Sequence, residues 1–84
     1  MSVEVLKFSA SWCGPCRVLA QTLKDVQGIT NIDIDKDHET PAKYGIRSVP
    51  TLVFLKDGKE VHRKSGSMPL KMYNDILDEI NINK

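Results

Sequence analysis

Two cysteines, Cys13 and Cys16, are the residues of this 84-residue chain best suited to chemistry. They lie within the run Ser-Trp-Cys-Gly-Pro-Cys-Arg of residues 11–17, between a predicted strand and a predicted helix. A disulfide that closes so short a loop removes little entropy from the unfolded chain, so it would add little stability. The spacing therefore favours redox chemistry over a structural role.

Cys13 is predicted to lie at the amino terminus of the helix. Free backbone N–H groups and the helix dipole stabilise a thiolate there, and the pKa of such a thiol falls to about 3.5–7.5. Because the thiolate is the attacking species, Cys13 is the predicted nucleophile. Cys16, on the same helix face and predicted to be less exposed, would resolve the mixed disulfide. Pro15 suits the first turn, where its missing N–H costs nothing, and Arg17 could add positive potential.

The elements that would position the cysteines follow from the hydrophobic pattern. It predicts strands at residues 3–8, 30–35, 51–55 and 60–65. It predicts helices at residues 13–27 and 40–44, and from residue 68 or 69 to residue 80. The buried faces of the two long helices would be formed by Leu19, Ala20, Leu23 and Val26, and by Tyr73, Ile76, Leu77 and Ile80. The order β-α-β-(α)-β-β-α predicts an α/β fold with one mixed four-stranded sheet flanked by helices.

Length and charge exclude several classes of function. A chain of 84 residues is expected to form one domain, residues 1–84. Its 12 basic and 11 acidic side chains argue against a nucleic-acid interface or a polybasic membrane contact. No signal sequence or membrane-spanning run is recognisable. We therefore expect a cytoplasmic monomer that binds neither nucleic acid nor membrane.

Two other interpretations of the cysteine pair remain open. The cysteines could be incidental buried residues, or they could form half of a zinc site. Zinc normally takes four ligands, and the other candidates, His38 and His62, lie in separate polar segments where surface positions are expected. We expect no metal and no organic cofactor, with a redox-active Cys13–Cys16 disulfide as the redox centre.

The run Trp-Cys-Gly-Pro-Cys resembles the thioredoxin family, as do Tyr-Gly-Ile-Arg-Ser-Val-Pro-Thr at residues 44–51 and Lys-Asp-Gly at residues 56–58. The resemblance covers nearly the whole chain and implies a minimal thioredoxin fold of about glutaredoxin length. It implies a disulfide reductase of electron transport and cell redox homeostasis. Its implied partners are protein substrates with disulfides and an electron donor that resembles thioredoxin reductase.

The resemblance also implies a substrate groove beside the cysteines. The Val49–Pro50 peptide bond would be cis, and the backbone of Val49 would form hydrogen bonds with an extended substrate. The groove would consist of Trp12, Gly14, Pro15, Val49, Pro50, Ser65, Gly66 and Ser67. Trp12 could instead be an ordinary packing residue, and Gly66 could serve only a turn.

Three positions depart from the family pattern. Lys7 stands where thioredoxins usually carry a buried aspartate, Asn31 stands in place of that aspartate's lysine partner, and Ser9 replaces a tryptophan. We hypothesise that Lys7 stabilises the Cys16 thiolate by its charge. The alternative is that its ammonium group reaches solvent and has no catalytic part.

Two alternative functions remain open on the sequence. One is a glutaredoxin-like reductase driven by glutathione, against which the Gly-Pro between the cysteines counts. The other is a binding subunit that uses the fold without redox chemistry.

Overall fold

Four strands form one mixed sheet, which carries the rest of the fold. The structure, a computed structural model, describes residues 3–82. Its elements in chain order are β1 (Val3–Ser9), α1 (Gly14–Thr22), β2 (Ile29–Asp33), α2 (Glu39–Tyr44), β3 (Thr51–Lys56), β4 (Lys59–Ser65) and α3 (Leu70–Ile82). The strand order is β2-β1-β3-β4, with β1 parallel to β2 and antiparallel to β3. The predicted α/β architecture is confirmed, while the ends of the predicted domain at residues 1, 2, 83 and 84 lie outside the described residues.

Helices cover both faces of the sheet, and each face has its own apolar layer. On one face Val5 and Phe54 pack with residues of α1 and α3. On the other face Phe8 and Val53 pack with Tyr44 at the end of α2. Residues 51–55 are buried throughout, as expected for a strand covered on both sides. The two central strands therefore lie between two apolar layers, and β1 leads into the cysteine motif.

Helix α1 is shorter than the hydrophobic pattern predicts. It ends at Thr22, whose hydroxyl donates to Val18 O at 3.1 Å, a bond that competes with regular helix. Leu23 remains buried and Val26 still packs against the core, but from a turn in which Val26 N donates to Leu23 O. The prediction that Ala20 belongs to the buried face is wrong, because Leu19 and Leu23 occupy that face and Ala20 is exposed.

The loop chemistry predicted from the sequence is present at two turns. Asp57 and Gly58 both have positive φ, 53° and 85°, the combination that a tight two-residue hairpin needs. Gly45 ends α2 in the left-handed conformation.

Strand β2 ends at Asp33, earlier than predicted. The chain turns there because the Asp33 carbonyl accepts the N–H groups of Lys36 and Asp37.

Helix α3 begins at Leu70, after the predicted start, while Met68 is buried in the core ahead of it. Its buried residues are Tyr73, Ile76 and Ile80, and Leu77 is partly buried, in agreement with the predicted face. None of the helices found in residues 3–82 combines the length and apolarity needed to cross a membrane.

Candidate active site

The two cysteines form a disulfide at the amino terminus of α1. Their Cα atoms are 5.2 Å apart. Cys13 is the N-cap residue, and the backbone N–H of Cys16 donates to Cys13 Sγ at 3.1 Å. Pro15 occupies the first turn, where no intrahelical N–H bond is lost. A thiolate at Cys13 would thus meet a backbone donor and the positive end of the helix dipole.

Both cysteines are buried, Cys13 with 5% and Cys16 with 4% of its surface exposed. The two cysteines are thus almost equally buried in the oxidised form. The reason is that Ala10, Val49 and Ile34 pack around the disulfide as a small apolar cluster.

The loop before β3 brings a second backbone segment to the disulfide. The Val49–Pro50 bond is cis, as the resemblance implies. Val49 O lies 3.7 Å from Cys13 Sγ. Pro50 O accepts the N–H of Gly66 at 2.8 Å, and Gly66 adopts a φ of 86° that favours glycine. These bonds hold Val49, Pro50 and Gly66 together at the cysteine end of the sheet.

The remaining residues of the predicted groove flank this loop. Ser65 pairs with Thr51 across β3 and β4, and the two hydroxyls are 3.4 Å apart. Ser67 is exposed. Gly14 and Pro15 are also exposed, in the first turn of α1.

Trp12 is a surface residue, with 66% of its area exposed. Its Nε1 donates to Asp35 Oδ2 at 2.9 Å, and the indole borders a cavity of about 150 Å³ that Ile46 and Val49 also line. Trp12 therefore lies outside the buried core. Asp35 was missed as a site residue, although the need of an indole N–H for an acceptor is a signal that could have found it.

Lys7 lies on the face of β1 that packs toward α1 and α3, with 9% of its surface exposed. Its partners in the sheet register are Asn31 on β2 and Leu52 on β3. Burial lowers the pKa of Lys7. Within residues 3–82 its ammonium group makes no hydrogen bond or ion pair. The position that faces Asn31 thus carries a desolvated cation without a carboxylate partner.

Arg17 is held beside the motif. Its Nη2 donates to Ser11 O at 3.0 Å, and its side chain shares a pocket wall with Cys16.

His38 and His62 are both exposed. Over the described range 3–82, no three or more His, Cys, Asp and Glu side chains are grouped as metal ligands would be.

Known proteins match both the sequence and the geometry. The family model for Thioredoxin matches residues 2–79. Thioredoxins of Staphylococcus epidermidis and Staphylococcus aureus are 36% and 37% identical to the chain, and each alignment covers 92% of this chain and 81% of the relative.

Solved structures show the same architecture. A mutant thioredoxin from Halobacterium salinarum has a TM-score of 0.85 at 32% identity, over 92% of this chain and 73% of that one. Fasciola hepatica thioredoxin has a TM-score of 0.72 at 40% identity, over 90% and 79%. The four-stranded sheet with its helices is therefore a thioredoxin fold, and this chain belongs to the thioredoxin family.

Proposed function

We propose that Cys13 is the attacking thiolate and Cys16 the resolving thiol of a protein-disulfide reductase. The protein is a thiol–disulfide oxidoreductase, since it belongs to the thioredoxin family and pairs the two cysteines of its motif. One observation carries the division of roles: the Cys16 backbone N–H points at Cys13 Sγ from 3.1 Å. A hydrogen bond to the charged form of a group favours that form, so it supports a thiolate at Cys13.

The reaction proceeds by two exchanges of sulfur partners. The Cys13 thiolate attacks one sulfur of a target disulfide, and the other target sulfur leaves with the electron pair of the broken bond. Cys16 then loses its proton and attacks Cys13 Sγ. The Cys13–Cys16 bond forms while the bond from Cys13 to the target breaks. The target gains two electrons and two protons, and the protein leaves oxidised.

A protein substrate would bind in extended form across the cis-proline loop. Its backbone would pair with that of Val49, as in the addition of a short strand. The 3.7 Å between Val49 O and Cys13 Sγ supports this position for a substrate sulfur. Trp12, Pro50 and residues 65–67 would form the walls of the groove, with Gly14 and Pro15 at its open side.

Lys7 and Arg17 would tune the thiol pKa values. A cation close to a thiol favours the thiolate, and Lys7 is buried in the layer between β1 and α1. Titration of both thiols in Lys7→Met tests this part of the proposal. We expect a higher pKa for Cys16 than in the wild type, whereas unchanged values would remove Lys7 from the mechanism.

The relatives favour a thioredoxin cycle over the glutaredoxin-like alternative. A reductase resembling thioredoxin reductase would return electrons to the disulfide, so the protein would act in electron transport. We expect it to work in the cytoplasm as a monomer and as one domain. No organic cofactor or metal is required in this cycle, because the cysteine pair itself carries the two electrons.

Reduction of insulin disulfides tests the proposed function. With dithiothreitol as donor we expect strong acceleration that Cys13→Ser abolishes, and only weak activity with glutathione. Equal rates with glutathione would favour the glutaredoxin-like cycle. No acceleration by folded, reduced protein would contradict the reductase assignment and favour a binding subunit.

A further inference from the structure

A pocket of about 370 Å³ opens beside Cys16. Neither Cys13 nor the cis-proline loop contributes to its walls, which include Ser9, Ser11, Cys16, Arg17, Ala20 and Asp33. Ser9 on β1 and Ala20 on α1 are small, and they leave the space between the strand and the helix unfilled. The pocket is open to solvent, and it has room for several water molecules and polar groups to bind them.

Asp33 provides the carboxylate of this pocket. It is the register partner of Ser9, so its side chain lies on the same face of the sheet, beneath α1. The side chain is half-buried, and its Oδ1 accepts the backbone N–H of Asp35 at 2.9 Å. Among residues 3–82 it has no ion-pair partner. The serine, alanine and arginine side chains of the walls are not bases, which leaves Asp33 as the wall residue able to take a proton.

We propose that Asp33 accepts the proton of the Cys16 thiol, through water in this pocket, when Cys16 resolves the mixed disulfide. The step rests on the proposed function, in which Cys16 is the resolving thiol. The proton passes from Cys16 Sγ to the Asp33 carboxylate, and the thiolate attacks Cys13 Sγ. The substrate sulfur leaves with its electron pair, and Asp33 releases the proton to solvent.

Other charged and titratable groups lie on the elements around α1. Arg17 shares the pocket wall with Cys16, and Lys7 lies on the same face of β1 as Ser9. Tyr73 of α3 and the apolar Leu52 of β3 belong to the apolar layer that includes α1. Burial raises the pKa of Tyr73, so it stays neutral. The two cations would favour the thiolate by their charge, but a guanidinium cannot accept a proton. Their effects and that of Asp33 are separable by variants.

Two possible roles of Asp33 predict opposite changes in the rate of the resolving step when its charge is removed. If Asp33 acted only as a nearby negative charge, its removal would favour the Cys16 thiolate and speed the resolving step. If Asp33 accepts the proton, its removal slows that step. Asp33→Asn retains an oxygen that can accept the Asp35 N–H, so the turn after β2 is preserved.

Stopped-flow reaction of the reduced protein with 5,5′-dithiobis(2-nitrobenzoate) separates the two cysteines. Attack of Cys13 on the reagent releases a first 2-nitro-5-thiobenzoate at a rate that scales with reagent concentration. Attack of Cys16 on the resulting mixed disulfide releases a second one at a rate that does not depend on that concentration. In Asp33→Asn we expect an unchanged first release and a second release slowed at least about tenfold at pH 7, since a positioned base contributes roughly 10²–10⁴-fold. The difference in the rate of the second release between Asp33→Asn and the wild type should shrink as the pH rises, because solvent then deprotonates Cys16 directly.

Two further variants serve as controls for the role of Asp33. Asp25→Asn changes an exposed aspartate that does not line the pocket, so both releases should keep their wild-type rates. Ala20→Leu narrows the pocket without touching the carboxylate, and it should also slow the second release. A second release that is unchanged or faster in Asp33→Asn, or slowed equally at every pH, overturns the role of Asp33. A wild type that releases only one equivalent overturns the resolving role of Cys16 as well.

Discussion

At the scale of single residues, the proposed reactivity of Cys13 rests on its position at the start of α1. The N-cap location supplies the helix dipole, and the Cys16 N–H supplies a hydrogen bond to the sulfur. Both favour the thiolate. Both cysteines are little exposed, and we expect a substrate to reach Cys13 through the proposed groove beside Val49.

Lys7 is predicted to reduce stability at neutral pH. Burial lowers its pKa below the ordinary 10.5, so the unfolded chain binds this proton more tightly than the folded protein does. We expect Lys7→Met to raise the free energy of unfolding at pH 7 by about 1–2 kcal/mol, because a buried unpaired cation is replaced by an apolar side chain. The advantage should shrink as the pH rises through the folded pKa toward 10.5.

Urea unfolding of the oxidised proteins at pH 7 and pH 10 measures this difference. Lys24→Met, at an exposed position beyond α1, is the matched control and should change stability little. A Lys7→Met variant less stable than the wild type at pH 7 would contradict the account. So would an advantage that is the same at both pH values.

At the scale of elements, Arg63 joins the edge strand β4 to the end of α2. Its Nη2 donates to Tyr44 O at 2.6 Å, and its guanidinium also pairs with Glu60 at 2.8 Å. The Glu60 pair is about one-third exposed, so it should contribute little. The bond to Tyr44 O satisfies a carbonyl at a helix end that has no intrahelical partner.

Arg63→Met should therefore cost more stability than Glu60→Gln. We expect a loss of about 1 kcal/mol for Arg63→Met and less than about 0.5 kcal/mol for Glu60→Gln. Lys64→Met, at the neighbouring exposed position, is the control. Equal losses for Arg63→Met and Glu60→Gln in urea unfolding would show that the ion pair, not the carbonyl bond, joins the elements.

Some features of the elements could be predicted from local sequence patterns, and others could not. The Asp-Gly turn and the apolar run of β3 are properties of short segments, and both could be predicted from the sequence. The end of α1 could not, because Leu23 and Val26 reach the core from a turn as well as from a helix. In the sequence Asp33 and Asp35 are polar residues of a predicted strand. The Trp12 indole N–H signals the need for an acceptor, but only the folded chain shows that Asp35 supplies it and that Asp33 lies beside Cys16.

At the scale of the whole molecule, burial divides the sheet into a stable centre and two open edges. Strands β1 and β3 lie in the middle, whereas every residue of β4 is exposed. Amide hydrogen exchange should be slowest in β1 and β3, and fastest at the outward-facing amides of β2 and β4. NMR of the oxidised protein in deuterated water measures this order. Comparable protection along β4 and β3 would contradict it.

The central claim is that Cys13 attacks and Cys16 resolves, and trapping of the mixed disulfide tests it most directly. Cys16→Ser incubated with native insulin, whose disulfides are intact, should form a covalent complex through Cys13. Intact-protein mass spectrometry should detect this complex, and dithiothreitol should release it. Cys13→Ser should form no such complex under the same conditions. A complex through Cys16 in Cys13→Ser, in equal or higher yield, would contradict the assignment of the two cysteines.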